Sequence, residues 1–123
     1  RYELIIMIFC DYCVLSPLQR ASLLGIFKDH LSPGGRVLLD VQTLNSFNVR
    51  EEAANYERRQ LNGLWSPDDY FGFVNTFKYD EENVVLDKFT IIEKARTREV
   101  YNWHQHFDPF SLKKEMKDNG FTI

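Results

Sequence analysis

The sequence lacks the features that would assign it to a membrane or nucleic-acid-binding class. No apolar stretch approaches the roughly 20 residues that a membrane-spanning helix needs. The short apolar run at positions 2–9 follows no basic segment resembling a signal peptide. Acidic and basic residues are interspersed and give a net charge of -3, so the concentrated basic patch of a nucleic-acid-binding protein is missing. We therefore expect neither a membrane nor a nucleic acid as a partner.

Cysteine is also scarce, and Cys10 and Cys13 alone cannot make a disulfide framework, so a reducing cytoplasm is the expected location. Their C-x-x-C spacing suggests a redox pair or, with His104 and His106, a four-ligand zinc site. However, the nearest predicted helix begins only at Pro17, too far away for its dipole to lower a thiol pKa. Nothing in the sequence brings the histidines to the cysteines. We expect two ordinary cysteines and no metal site.

The first third of the chain has the pattern of a parallel α/β unit. Positions 2–9, Y-E-L-I-I-M-I-F, are typical of a strand buried on both faces. The motif S-P-L-Q at 16–19 predicts a helix start with a capping box, and the helix should run to about Leu31. S-P-G-G at 32–35 should end the helix, and residues 36–41 are predicted to form a second buried strand. Strand, helix and strand in this order predict a right-handed parallel crossover.

The rest of the chain changes to a period of two. Residues 45–60 are predicted to be partly helical, and strands at 70–79, 84–93 and 98–107 should form an antiparallel three-stranded meander. Asp108 and Pro109 should start a last helix that ends at Asn119-Gly120, with a further strand beginning at 121. Because apolar strands lie at both ends of the sequence, we expect an interior or C-terminal part of a larger α/β domain, cut at both ends.

This order of elements resembles the second half of the class I S-adenosylmethionine-dependent methyltransferase fold, and it is most similar to the small-molecule enzymes of the bacterial type. The segments that carry the resemblance are Y-E-L-I-I-M-I-F-C-D-Y-C-V-L-S, L-S-P-G-G-R-V-L-L-D-V and N-W-H-Q-H-F-D-P-F-S-L-K-K-E-M-K-D-N-G-F. It implies the C-terminal part of a Rossmann-like sheet in 1–43, an antiparallel three-stranded insertion in 61–107, and a last helix with the start of a strand in 108–123. It also implies S-adenosylmethionine as cofactor and a small molecule as methyl acceptor. The family's glycine-rich cofactor loop is absent, so this chain alone is expected to be inactive.

The candidate cofactor residues follow the first strand, because ligands of open α/β sheets lie beyond the carboxyl ends of the strands. By the resemblance, Phe9, Cys10 and Asp11 line the cofactor. Asp11 is also a candidate base, and Tyr12 can flank the sulfonium with its ring and contact the substrate. The alternative is that Asp11 caps a turn and Tyr12 packs in the core. Asp40, which ends the second strand, is either a structural acid bonded to a neighbouring loop or a substrate contact.

The candidate residues of the second half are aromatic residues and histidines. Alternation puts His104 and His106 on one face of a strand, and His104 is a candidate general base because it titrates near neutral pH. The alternative is a pair of solvated histidines. Trp65, Tyr70 and Trp103 are candidates for the substrate pocket, since such pockets are lined by aromatic side chains, although they can equally form the core of the meander.

Two other functions remain open. The chain can be an inactive fragment that forms a homo-oligomer through its exposed first strand, whose unpaired edge invites pairing. It can also be part of another α/β enzyme, such as a reductase that shares the same crossover.

Overall fold

A computed structural model describes all residues, Arg1–Ile123, and shows a mixed α/β fold with two sheets. The first sheet pairs β1 (Tyr2–Met7) with β2 (Leu31–Leu39) in parallel, and the two strands are joined by a 3₁₀ turn (Asp11–Val14) and α1 (Pro17–His30). The predicted order of strand, helix and strand and the parallel pairing of the two strands are confirmed. The second sheet has the strand order β3-β7-β6-β5-β4. Its elements, with the helices between them, are β3 (Gln42–Thr43), α2 (Leu44–Val49), β4 (Ala53–Arg58), α3 (Gln60–Gly63), β5 (Tyr70–Tyr79), β6 (Val84–Glu93), β7 (Thr97–Phe107) and α4 (Pro109–Asp118).

The long helices begin where the sequence predicts, because their caps satisfy the first free backbone N–H groups. At α1, the Ser16 hydroxyl accepts from the N–H of Gln19 at 3.2 Å, and the Gln19 side chain accepts from the N–H of Ser16 at 2.8 Å. At α4, Asp108 accepts from the N–H of Ser111 at 2.6 Å. Both predicted helix starts are confirmed.

The antiparallel part has four strands rather than the predicted three. Residues 53–58, expected to be partly helical, form β4, which pairs antiparallel with β5 from Ala53↔Thr76 to Arg58↔Phe71. All six residues of β4 are exposed, so the strand is held by backbone hydrogen bonds to β5 and has no buried face that the sequence would reveal. In the region 45–60, predicted to be partly helical, α2 (Leu44–Val49) is helical, and Gln60 begins α3, a single turn in which Leu61 and Asn62 have left-handed backbone angles.

Three expectations about the first sheet and the chain end are wrong. β1 is not buried on both faces: Tyr2, Leu4 and Ile6 are 61%, 51% and 56% exposed, because no other element of this chain covers that face. β2 starts at Leu31 rather than at 36, with a register shift against β1 that accommodates the S-P-G-G segment. Residues 121–123 are not a strand; the N–H of Phe121 bonds back to the carbonyl of Met116 at 2.9 Å and closes the end of α4.

The main hydrophobic core lies where the two sheets meet the helices. It contains Tyr12, Cys13, Leu24, Phe107 and Met116, which are 0–6% exposed. Burying side chains of this size contributes about 1.5–3 kcal/mol each. The core joins the 3₁₀ turn and α1 to the end of β7 and to α4, so it fixes the loop after β1 against the second sheet. No helix of the chain is long and apolar enough to cross a membrane.

Candidate functional site

The loop after β1 is held in an unusual backbone conformation. Phe9 and Cys10 both lie in the left-handed region, with φ of 64° and 58°. This conformation costs a non-glycine residue about 1–2 kcal/mol. Asp40, just after β2, offsets the cost: its carboxylate accepts from the N–H of Phe9 at 3.1 Å and from the N–H of Cys10 at 2.8 Å. Of the two alternatives for Asp40, the structure shows the structural acid bonded to a neighbouring loop.

This loop presents an aromatic ring and a carboxylate at the carboxyl edge of the parallel strands. Phe9 is 85% exposed, and Asp11 is also exposed. The Asp11 carboxylate forms no hydrogen bond and no ion pair within the chain. The loop therefore offers a free surface where an open α/β sheet binds its ligand.

The two cysteines are protonated thiols at neutral pH. Burial raises the pKa of Cys10, and the nearby Asp40 carboxylate raises it further. Burial also raises the pKa of Cys13 to about 11, and its sulfur accepts a hydrogen bond from the N–H of Gln42 at 3.2 Å. A thiol with a raised pKa is a poor nucleophile and a poor metal ligand. The structure brings together no group of three or more histidine, cysteine or acidic side chains that could hold a metal ion.

Tyr12 is fully buried, and its hydroxyl donates to the carboxylate of Glu115 at 2.5 Å. Burial and this bond to the carboxylate raise the pKa of Tyr12 far above its usual range, so the phenol stays neutral. The same carboxylate accepts from Arg20, whose Nη2 lies 2.9 Å from Oε1 and whose Nε lies 3.0 Å from Oε2. The Arg20 guanidinium also stands over the rings of Tyr12 and Phe107. Tyr12 therefore occupies the packed position that the sequence left as an alternative.

A cavity of about 520 Å³ lies between the start of α1 and one face of the second sheet. Val14, Leu15 and Pro17 line one side, and Tyr79 and Trp103 line the other. The two aromatic rings contact each other, with centroids 5.9 Å apart. The structure thus brings one predicted pocket residue, Trp103, to the segment that follows Tyr12. A cavity of this volume is within the range of small-molecule sites.

His104 lies on the other face of β7, because successive residues of a strand alternate between faces. Its Nε2 is 3.4 Å from the carboxylate of Asp87, which also accepts from Arg50 at 2.8 Å and from Thr76 at 2.6 Å. Burial lowers the pKa of His104, and the charge of Asp87 offsets this only in part. The structure does not bring His104 to the cavity or to the loop after β1.

His106 is 2% exposed, so the alternative of two solvated histidines is wrong. Its Nδ1 lies 2.9 Å from the carbonyl of Thr43 and 3.1 Å from the hydroxyl of Ser46. The ring also meets the ring of Phe47 edge-on, with centroids 5.4 Å apart. Burial lowers the pKa of His106, and the bond to Thr43 offsets this only in part. The side chain connects β7 to β3 and α2.

Trp65 and Tyr70 lie on the same face of the sheet as His104. Tyr70 is 2% exposed and donates its hydroxyl to the carbonyl of Gln60, while Trp65 packs on Phe89 with centroids 5.1 Å apart. These two aromatic side chains form part of the interior of the meander. The structure therefore separates the predicted pocket residues, with Trp103 at the cavity and Trp65 and Tyr70 on the opposite face.

The sequence analysis missed the Arg20–Glu115 pair. The partners are 95 positions apart, so spacing could not connect them. The sequence did contain one signal for Arg20. It lies four residues before Leu24, on the face of α1 that packs into the core, and a buried charged residue needs a partner. Glu115 lies next to Met116 on α4, and it carried no comparable signal in the sequence.

Comparisons with known proteins define the fold. No protein-family model matches the chain, and none of the curated proteins matches its sequence. Among solved structures, the chain is similar to an S-adenosylmethionine-dependent methyltransferase from Clostridium acetobutylicum ATCC 824, with a TM-score of 0.58 and 13% sequence identity. The match covers 97% of this chain and 47% of that one, so the chain spans about half the length of that structure. At this identity the likeness shows the fold, which is methyltransferase-like.

Proposed function

We propose that this chain is the C-terminal part of a class I S-adenosylmethionine-dependent methyltransferase that acts on a small molecule. The observation that carries the proposal is the methyltransferase-like fold, which extends over 97% of the chain. The parallel strands β1 and β2 and the loop beyond them correspond to the place where such a sheet binds its cofactor.

The loop after β1 fits one side of a bound S-adenosylmethionine. Phe9 supplies an exposed apolar ring, Cys10 follows it in the strained backbone, and Asp11 supplies a free carboxylate. The cofactor, when bound, supplies a methyl group on a positively charged sulfur. Asp11 is the proposed proton acceptor for the nucleophile, and Asp40 positions the loop by bonding both left-handed residues.

The cavity beside Trp103 is the proposed acceptor site. It lies directly after the cofactor loop in the chain, and its volume of about 520 Å³ suits a small molecule. Tyr12 holds this region together through Glu115 rather than presenting a free hydroxyl, so we assign it a positioning role. His104, Trp65 and Tyr70 lie on the far face of the sheet and are proposed to stabilise the meander.

Ligand-observed NMR with S-adenosylhomocysteine, on a version of the chain extended at its N-terminus, tests the cofactor assignment. Phe9→Ala should weaken binding, whereas Phe110→Ala should not, because Phe110 is similarly exposed, at 77%, but belongs to α4 and not to the loop. Equal effects of the two substitutions would contradict the assignment.

A second candidate function is self-association of this chain. The face of the first sheet formed by Tyr2, Leu4, Ile6 and Leu38 is apolar and 51–61% exposed, which is unusual for a soluble monomer. β1 also has one edge without a hydrogen-bonded neighbour. No comparable observation favours a reductase.

A further inference from the structure

The cavity between the start of α1 and the ends of β5 to β7 has an uneven distribution of charge. Its basic residue, Arg20, is not free to bind a ligand. Arg20 is 3% exposed, and its guanidinium is engaged by the Glu115 carboxylate and by the carbonyl of Leu15 at 2.7 Å. The positive charge in the cavity wall is therefore already neutralised.

The amide side chains of the lining are engaged as well. Gln19 accepts from the N–H of Ser16 in the helix cap, and Gln105 donates to the carbonyl of Glu82 at 2.7 Å. Glu82 is different: it is a lining residue in an exposed turn, and its carboxylate forms no ion pair and no hydrogen bond within the chain. The remaining charge available to a ligand is therefore negative.

The wall next to Glu82 is aromatic. Tyr79 and Trp103 are 41% and 44% exposed and stand together at 5.9 Å, so part of each ring is open to a ligand. The faces of such rings attract cations, and tryptophan does so most strongly. An aromatic pair and an unpaired carboxylate in the lining of one cavity favour a positively charged group over a neutral or negative one.

We propose that this cavity binds a small molecule with an apolar body and a cationic nitrogen, that is, a protonated amine or a quaternary ammonium. The apolar body packs between Val14, Leu15 and the ring of Trp103, and the cationic group lies by Tyr79 and Glu82. Where this ligand is the methyl acceptor, the inference rests on the proposed function. The proposal that the cavity binds such a molecule does not depend on the cofactor.

The test compares three ligands of the same shape and different charge. Phenethylamine is cationic at pH 7, phenethyl alcohol is neutral, and phenylacetate is anionic. Dissociation constants are measured on the protein by NMR titration without cofactor. We expect phenethylamine to bind about five- to tenfold more tightly than phenethyl alcohol, and phenylacetate to bind most weakly. The preference for phenethylamine should decrease as the salt concentration is raised, because salt screens interactions between partly exposed charges.

Two substitutions assign the preference to the cavity. Glu82→Gln should remove most of the difference between the amine and the alcohol, while Glu81→Gln should leave it unchanged, because Glu81 shares the exposed turn but does not line the cavity. Trp103→Leu should weaken the binding of all three ligands. Both glutamate substitutions lie in an exposed turn, so the variants should fold, and circular dichroism verifies this.

Three results would overturn the proposal: equal binding of amine and alcohol, a preference that survives Glu82→Gln, or no binding of the amine at millimolar concentration. Titration of S-adenosylhomocysteine into a version of the chain extended at its N-terminus separates this inference from the proposed function. Amine selectivity without cofactor binding would support the cavity and count against the methyltransferase. Cofactor binding without amine selectivity would support the methyltransferase and count against the amine site in the cavity.

Discussion

The buried contact between Arg20 and Glu115 should be the most sensitive polar interaction in the chain. The Arg20 side chain is 4% exposed, and its Nε and Nη2 both reach the Glu115 carboxylate, at 3.0 Å and 2.9 Å. Glu115→Gln would leave the guanidinium buried without a counter-charge. It would also deprive the Tyr12 hydroxyl of its carboxylate acceptor. Breaking a buried pair in this way costs about 3–5 kcal/mol.

That cost is a large fraction of the free energy of unfolding of a typical domain, which is about 5–15 kcal/mol. Urea unfolding followed by circular dichroism measures it. With a slope of about 2 kcal/mol per M, the midpoint should fall by about 2 M urea. The matched control is Asp69→Asn, which breaks the Arg58–Asp69 pair, whose side chains are 67% and 60% exposed. No measurable shift is expected for the control, because water screens that pair.

The double variant Arg20→Met with Glu115→Leu keeps the test informative if the single variant does not fold. Removing both charges leaves no buried ion, so the double variant should be more stable than Glu115→Gln alone. The reasoning would be refuted if Glu115→Gln and Asp69→Asn shifted the urea midpoint equally, or if the double variant were the least stable of the three.

Three further predictions concern the loop after β1, His104 and the exposed face of the first sheet. Asp40→Asn keeps only one acceptor oxygen for the N–H groups of Phe9 and Cys10. In a calorimetric titration of the N-terminally extended version, S-adenosylhomocysteine should therefore bind about tenfold more weakly, with an unchanged circular dichroism spectrum; unchanged affinity would contradict the positioning role. Burial lowers the pKa of His104, so the folded chain binds fewer protons there than the unfolded chain, and the free energy of unfolding should decline as pH falls below about 6.5. His104→Gln should flatten part of that decline in urea titrations at several pH values, and an identical pH profile would argue against it. Light scattering at micromolar concentration should give this chain a mass above that of a monomer. The mass of Ile6→Lys should be closer to that of a monomer, because Ile6 is 56% exposed on the apolar face. A monodisperse wild-type monomer would count against self-association.

Elements with strong local signals could be predicted from the sequence. The caps at Ser16 and Asp108 use short-range contacts that any sequence reading can find, and both helices start there. β5 and β6 have the predicted bounds, because alternation and the turn between them are local properties. The parallel crossover from β1 to β2 was equally accessible.

Features that depend on distant parts of the chain could not be predicted. β4 has an alanine-rich, polar sequence and no buried face, so only its pairing with β5 makes it a strand. The buried setting of His106 depends on Thr43 and Ser46, about 60 residues away. Alternation placed His104 and Trp103 on opposite faces but could not say which face borders the cavity.

Under the proposed function, this chain carries one side of a methyltransferase cofactor site. Calorimetric titration of S-adenosylhomocysteine into the chain as it stands, and then into a version extended at its N-terminus, tests it most directly. We predict no binding to the chain alone and micromolar binding to the extended version, weakened by Phe9→Ala and by Asp40→Asn. An extended version that folds but does not bind the cofactor would contradict the account.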